Sequence, residues 1–172
     1  FAEADPVYAL MSGNDTYPDI FIGRLSAENA LQVELQARKF VEYERDPEAG
    51  GAWYHKGMGI GSGAGEGVGD DGEADHQHIE NIRADLMGFT YSQVDTVYAL
   101  AGHPYTAAWV GEAVDAGRSI INYCGHGSYN RWTTTAFDIE DVNALTNVGR
   151  LPWIFSVACS NGAFGTTTCF AE

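Results

Sequence analysis

Ser119-Ile120-Ile121-Asn122-Tyr123-Cys124-Gly125-His126-Gly127-Ser128 and Pro152-Trp153-Ile154-Phe155-Ser156-Val157-Ala158-Cys159-Ser160-Asn161-Gly162 are the two stretches that decide the fold. Each is an apolar, partly β-branched run that stops abruptly in small residues around one reactive side chain. That pattern predicts a buried strand delivering chemistry at its carboxyl end, His126 in the first case and Cys159 in the second. The intervening segment includes a predicted helix over Asp138 to Thr146, enough chain for a crossover, so the two strands are expected to lie parallel and adjacent. Both ends then open on one edge of the sheet, where ligands bind in open α/β folds, and a Cys and a His meeting there form a nucleophile and base pair. Gly125 and Gly127 leave room for a substrate backbone, and the amides of Gly127 and Cys159 are placed to meet a developing oxyanion.

Working outward, Asp19 to Leu25 reads as a short strand. Ser26-Ala27-Glu28-Asn29 reads as the start of a helix over Ala30 to Glu44, with Ala30, Val33, Ala37, Phe40 and Val41 forming a core stripe. Trp53 to Ser62 carries the next strand, followed by a Gly-rich loop over 61–69 that lacks the Lys and Ser/Thr of a phosphate cradle. A helix over His76 to Leu86, a strand from about Asp95 to Leu100 and a helix over Thr106 to Gly117, with Ala107, Val110, Ala113 and Val114 inward, complete the pattern. Alternating strands and helices predict a three-layer α/β/α sandwich with a mostly parallel sheet.

The 172 residues suit one domain with a sizeable core. A net charge of -15 repels phosphate backbones and anionic lipid, so nucleic acid is not an expected partner. No apolar run approaches the ~18 residues that span a bilayer, so membrane insertion is not expected either. The acidic surplus suits either simple solubility or a calcium-using extracellular protein. Three cysteines are too few and too odd a number for a fully paired framework, and a Cys124–Cys159 bridge would abolish the nucleophile.

Ser12-Gly13-Asn14-Asp15-Thr16-Tyr17-Pro18-Asp19 is an oxygen-rich loop. Asp15-x-Tyr17-x-Asp19 sets oxygens on alternate residues, a spacing for wrapping a hard cation and equally for an ordinary Asx-rich turn. Asp71, Glu73 and His78 form a second, weaker cation candidate. The separations of Cys124, His126, Cys159 and Cys169 do not match a compact zinc module.

Several blocks together resemble the gingipain family of bacterial cysteine endopeptidases. They are Asn122-Tyr123-x-Gly125-His126-Gly127-Ser128, Leu145-Thr146-Asn147, Leu151-Pro152-x-Ile154-Phe155-x-Val157-Ala158-Cys159-x-Asn161-Gly162 and Cys169-Phe170-Ala171-Glu172. Gly13-Asn14-Asp15-x-Tyr17 before Phe21-Ile22-Gly23-Arg24, and the block Asp70 to His78, add to the match. The resemblance implies a caspase-like catalytic fold and cleavage of proteins or peptides after Arg or Lys, with Cys159 as nucleophile and His126 as its base. It implies that Asp75 sits at the bottom of the first specificity pocket, where the alternative is a helix-start acid favoured by the dipole. It further implies substrate contacts at Cys124, Gly125 and Val157, and structural calcium held by Asp15 and Asp19 carboxylates with Ser12 and Tyr17 carbonyls, with no organic cofactor. The same resemblance implies a secreted or cell-surface location and a catalytic domain over 1–172 that is incomplete at both ends, with remaining segments of the same precursor as partners. The sequence departs from the family where related enzymes place an orienting Glu: Ala64 aligns there, and Glu66, two residues on, is the acid that would substitute. That departure keeps open a second reading, a peptidase-like domain that serves as a binding or structural module.

Overall fold

The computed structural model describes residues 5–165 and 168–172. In chain order the elements are α1 (Ala30–Arg45), β1 (Lys56–Gly61), α2 (Asp75–Gly88), β2 (Gln93–Tyr98), α3 (Ala107–Asp115), β3 (Ile120–Cys124), β4 (Gly127–Ser128), β5 (Arg131–Trp132), β6 (Phe137–Asp138), α4 (Ile139–Asn143) and β7 (Trp153–Val157). Contacts group them into two units: Glu48–Ala163 with Thr168–Ala171, and the described residues of Phe1–Pro47 and Phe164–Thr167 with Glu172.

Strand β1 sets the layering of the larger unit. Its side chains alternate, so Met58 and Ile60 enter one face while Gly57, Gly59 and Gly61 leave the other bare. A Cβ at Gly59 would lie 2.5 Å from Ile79 Cγ2, and one at Gly61 would lie 2.5 Å from His76 Cα, so α2 rests directly on that bare face. Met58 and Ile60 cluster instead with Val110, Ala113 and Val114 of α3 and with Val97, Ile121 and Tyr123. Helices therefore cover both faces of the sheet, the expected α/β/α sandwich.

The main sheet is parallel, in the order β2-β1-β3-β7. From β1 the chain moves through α2 to one neighbour and then back through α3 to the other, which places the two crossover helices on opposite faces. The reversal leaves a crevice at the carboxyl ends of β1 and β3, where open sheets bind ligands. The stretches ending in His126 and Cys159 are indeed parallel neighbours, with Ile120 opposite Trp153 and Cys124 opposite Val157. Their connection contains the short α4, capped by Asp138, and also a small antiparallel sheet, β4-β5-β6, whose two-residue strands carry no periodic signal.

Three expectations need correction. Strand β7 is not buried: it lies at the edge of the sheet, with Trp153 64% and Val157 65% exposed, because α2 and α3 pack over β1, β2 and β3 instead. Asp19 to Leu25 forms no strand; it gains no ladder partner among the described residues, and Phe21 is fully exposed. Helix α1 forms as predicted, with Asn29 Oδ1 accepting the Gln32 N–H, but its Val33, Phe40 and Val41 stripe is exposed and none of its residues is buried.

Candidate active site

At the end of β3 the backbone of His126 is held from inside the fold. Its carbonyl accepts the Tyr123 hydroxyl at 2.5 Å and the Thr133 N–H at 2.8 Å. Tyr123 is itself fixed: its ring stacks on Trp132 at 4.7 Å and 6°, and its oxygen lies 2.8 Å from Thr134 Oγ1. Gly125 is required by crowding, since a Cβ there would meet Thr134 Oγ1 at 2.6 Å and Ser62 Cβ at 3.1 Å. The His126 residue remains exposed.

The end of β7 runs beside it. The Gly125 N–H donates to the Val157 carbonyl at 3.1 Å, which carries the parallel pairing one step past β3. A Cβ on Gly127 would come within 2.5 Å of the Cys159 carbonyl oxygen and 2.8 Å of Ala158 Cβ, so the two backbones touch where the candidate base and nucleophile leave the sheet. Cys159 is exposed. Ser160 follows it in the left-handed region, φ 60°, a conformation that costs a non-glycine residue about 1–3 kcal/mol. Asn161 is 4% exposed; its amide donates to the Ser128 and Arg131 carbonyls at 2.6 and 3.0 Å and accepts from Ser156 Oγ at 3.1 Å. Ser156 Oγ accepts in turn from the Trp132 indole at 2.9 Å.

A third group gathers at the β1–β3 crevice. Asp75, in the first turn of α2, accepts a hydrogen bond from the Ser62 hydroxyl, and Ser62 Oγ accepts the Ala64 N–H at 3.0 Å. Burial pushes the Cys124 thiol up to about 11, and the Asp75 carboxylate beside it, which takes its hydrogen bond, adds to the shift. Among the described ion pairs none involves Asp75, so the contacts found here for the acid are neutral donors. Val157, opposite Cys124 in the ladder, continues this row toward Cys159.

Other anticipated residues stay apart. Glu66 is exposed and makes no hydrogen bond to His126 among the described residues, and Ala64 uses its carbonyl to accept the Asp75 N–H. Cys124 and Cys159 each keep a thiol, so no bridge forms between them. Glu73 Oε1 pairs with His78 Nδ1 at 3.0 Å and its Oε2 accepts the Asp71 N–H, which closes the loop on itself. In the 12–19 loop Asp15 Oδ1 accepts the Tyr17 N–H, an Asx turn, while Asp19 Oδ2 reaches back to accept the Met11 and Ser12 N–H groups and closes the loop. No group of three or more His, Cys, Asp or Glu that could hold a metal occurs among the described residues, so two carboxylates are all the acid this loop gathers. Sequence reasoning assigned no role to Ser62, Tyr123, Trp132, Thr134 or Asn161, whose partners become visible only in three dimensions.

Comparison with known proteins adds an independent line. A family model described as peptidase family C25 matches residues 2–172. Gingipain R2 of Porphyromonas gingivalis (strain ATCC 33277) is 37% identical over 99% of this chain and 23% of its own length, and gingipain R1 of Porphyromonas gingivalis is 37% identical over 99% and 17%. The crystal structure of the Arg-specific cysteine proteinase gingipain R superposes with a TM-score of 0.92 at 36% identity, covering 98% of this chain and 39% of that one. The complex of the Porphyromonas gingivalis RgpB pro- and mature domains gives the same TM-score at 36% identity, covering 99% and 40%. The chain thus spans less than a quarter of the curated relatives it matches.

Proposed function

Because the chain belongs to peptidase family C25, the gingipain family, we propose that it supplies the catalytic centre of a cysteine-type endopeptidase, with Cys159 as nucleophile and His126 as general base. The observation that carries this reading is the contact of Gly127 with the Cys159 backbone, which puts two exposed reactive side chains at touching strand ends.

In this mechanism His126 takes the thiol proton and the Cys159 sulfur attacks the scissile carbonyl carbon. The oxyanion is met by the N–H groups of Gly127 and Cys159. Collapse breaks the C–N bond as His126 returns its proton to the leaving amine, and water, deprotonated by His126, then hydrolyses the thioester to a carboxylic acid and free thiol. The substrates are proteins or peptides cut after Arg or Lys. Asp75 supports this specificity: a carboxylate in a crevice with neutral donors around it pairs with a guanidinium or ammonium and discriminates against neutral side chains.

The exposed Glu66 favours a second reading, a peptidase-like module without turnover, because among the described residues it makes no hydrogen bond that would orient the imidazole. Incubation with a peptide-based thiol trap carrying Arg at its first position separates the two. Covalent labelling of Cys159, lost in His126→Ala, supports the peptidase; absence of labelling defeats it.

Calcium at the Asp15 and Asp19 loop, with Ser12 and Tyr17 carbonyls, is proposed as a structural addition, supported by the alternate spacing of the oxygen-bearing residues Asp15, Tyr17 and Asp19. A secreted or cell-surface location, with remaining segments of the same precursor as partners, fits the acidic composition and the kinship with gingipains. No helix of the described residues is long and apolar enough to cross a membrane.

A further inference from the structure

We propose that Asn161 is a positioning residue that sets the Cys159 turn against the hairpin following His126; this rests on the reading of Cys159 and His126 as the reacting pair. Asn161 stands two residues after Cys159, and the carbonyl of Ser128, two residues after His126, accepts one of its amide protons at 2.6 Å. The other proton goes to the carbonyl of Arg131, on the second strand of that hairpin, at 3.0 Å. One planar side chain therefore spans the gap between the two candidate catalytic loops. Two carbonyl acceptors on one side and the Ser156 hydroxyl on the other also fix which way the amide points.

Its surroundings make the link stiff. Asn161 is almost fully buried, and the Ser156 hydroxyl that bonds its Oδ1 is held by the Trp132 indole, which belongs to the aromatic cluster under Tyr123. The same cluster, through the Tyr123 hydroxyl, holds the His126 carbonyl. Thus the two loops are referenced to one rigid body, one through Tyr123 and the other through Asn161. The turn between Cys159 and Asn161 is a single residue, Ser160, in a left-handed conformation that an unanchored chain would leave. No hydrogen bond from Glu66 to His126 occurs among the described residues, so the spacing of the two loops is a structural control on how Cys159 meets His126.

The test compares the full chain with Asn161→Ala and Asn161→Asp, each first shown to be folded by circular dichroism at the assay temperature. Asn161→Asp keeps the shape and the Ser156 bond but loses both amide donors. The alkylation rate of Cys159 by iodoacetamide, read site by site by mass spectrometry from pH 5 to 9, reports the thiol's dependence on His126 without any substrate. In the wild type this profile should show an inflection at low pH that His126→Ala removes. Both Asn161 variants should lose the same inflection, and kcat on an Arg peptide should fall by about 10–100-fold with KM nearly constant, as for a group that acts on geometry in the transition state. A folded variant with the wild-type profile overturns the proposal, as does a wild-type profile indifferent to His126→Ala. If the wild type shows the inflection, and the variants lose it, but no peptide is cut, the positioning role stands and the peptidase reading falls. Should Asn161→Ala fail to fold, the profile of Asn161→Asp decides.

Discussion

Cys124 and Cys159 leave neighbouring strands of one sheet, Cys124 at the last paired position of β3 and Cys159 two residues beyond the last of β7. Cys124 points to the face covered by α2, where burial and then the Asp75 carboxylate push its thiol up to about 11. Cys159 has passed the end of the ladder and is exposed, on a turn whose next buried residue, Asn161, ties it to the hairpin after His126. A thiol becomes a nucleophile through its surroundings: apolar burial and a nearby anion oppose the thiolate, while exposure beside a base favours it. Two residues of chain past the sheet separate these environments.

Removing the thiols one at a time would break this contrast most directly. Cys159→Ala should lower peptide hydrolysis by at least ~10³-fold and abolish labelling by the Arg-bearing thiol trap, while Cys124→Ala and Cys169→Ala should still be labelled at Cys159. Equal loss of labelling from Cys124→Ala would dissolve the distinction.

The same contrast sharpens with pH. A thiol at about 11 instead of the ordinary 9.0 holds roughly a hundredth of the usual thiolate near pH 8, and the greater nucleophilicity of a more basic thiolate offsets part of this, so Cys124 should react with iodoacetamide about 10–100-fold more slowly than a thiol with the ordinary value. Its rate should climb until about pH 11. The sign for stability follows: above 9.0 the unfolded chain has released a proton that the folded chain still holds, so this group makes folding less favourable as pH rises from 9 to 11. Site-resolved alkylation and a melting series over that window measure both effects, and a Cys124 rate already at its plateau by pH 9 would contradict them.

Asp75 should separate binding from reactivity. Asp75→Asn is expected to reduce kcat/KM for Arg substrates by ~10–100-fold while Cys159 alkylation by small reagents is unchanged. An Arg-to-Leu preference equal to that of the wild type would assign Asp75 to the helix start alone, where its loss changes stability by under ~1 kcal/mol.

The smallest effect lies in the unit that contains α1. If calcium binds the Asp15 and Asp19 loop, chelator should lower Tm by roughly 2–4 °C, the shift for about 1 kcal/mol in a chain of this size. The effect is small because both carboxylates already accept backbone N–H groups. A Tm indifferent to chelator in both wild type and Asp19→Asn removes calcium from the account.

The sequence by itself determined the strand and helix alternation, the parallel pairing of the runs ending in His126 and Cys159, and the family, because these depend on local periodicity and on motif spacing along the chain. Only the tertiary structure decided which apolar surfaces are covered. The α1 stripe has the right period for a core, and β7 is as apolar as β3, yet both are exposed, since burial depends on what packs opposite and not on the stripe itself. The glycines of β1 were equally silent in the sequence: they acquire meaning from Ile79 and His76, which arrive from another helix. Asn161 reads as one small polar residue in a turn, and its role comes from carbonyls about thirty residues back along the chain. Hydrogen bonds and close packing act over a few ångströms of space, so partners that distant in sequence are chosen by the fold as a whole.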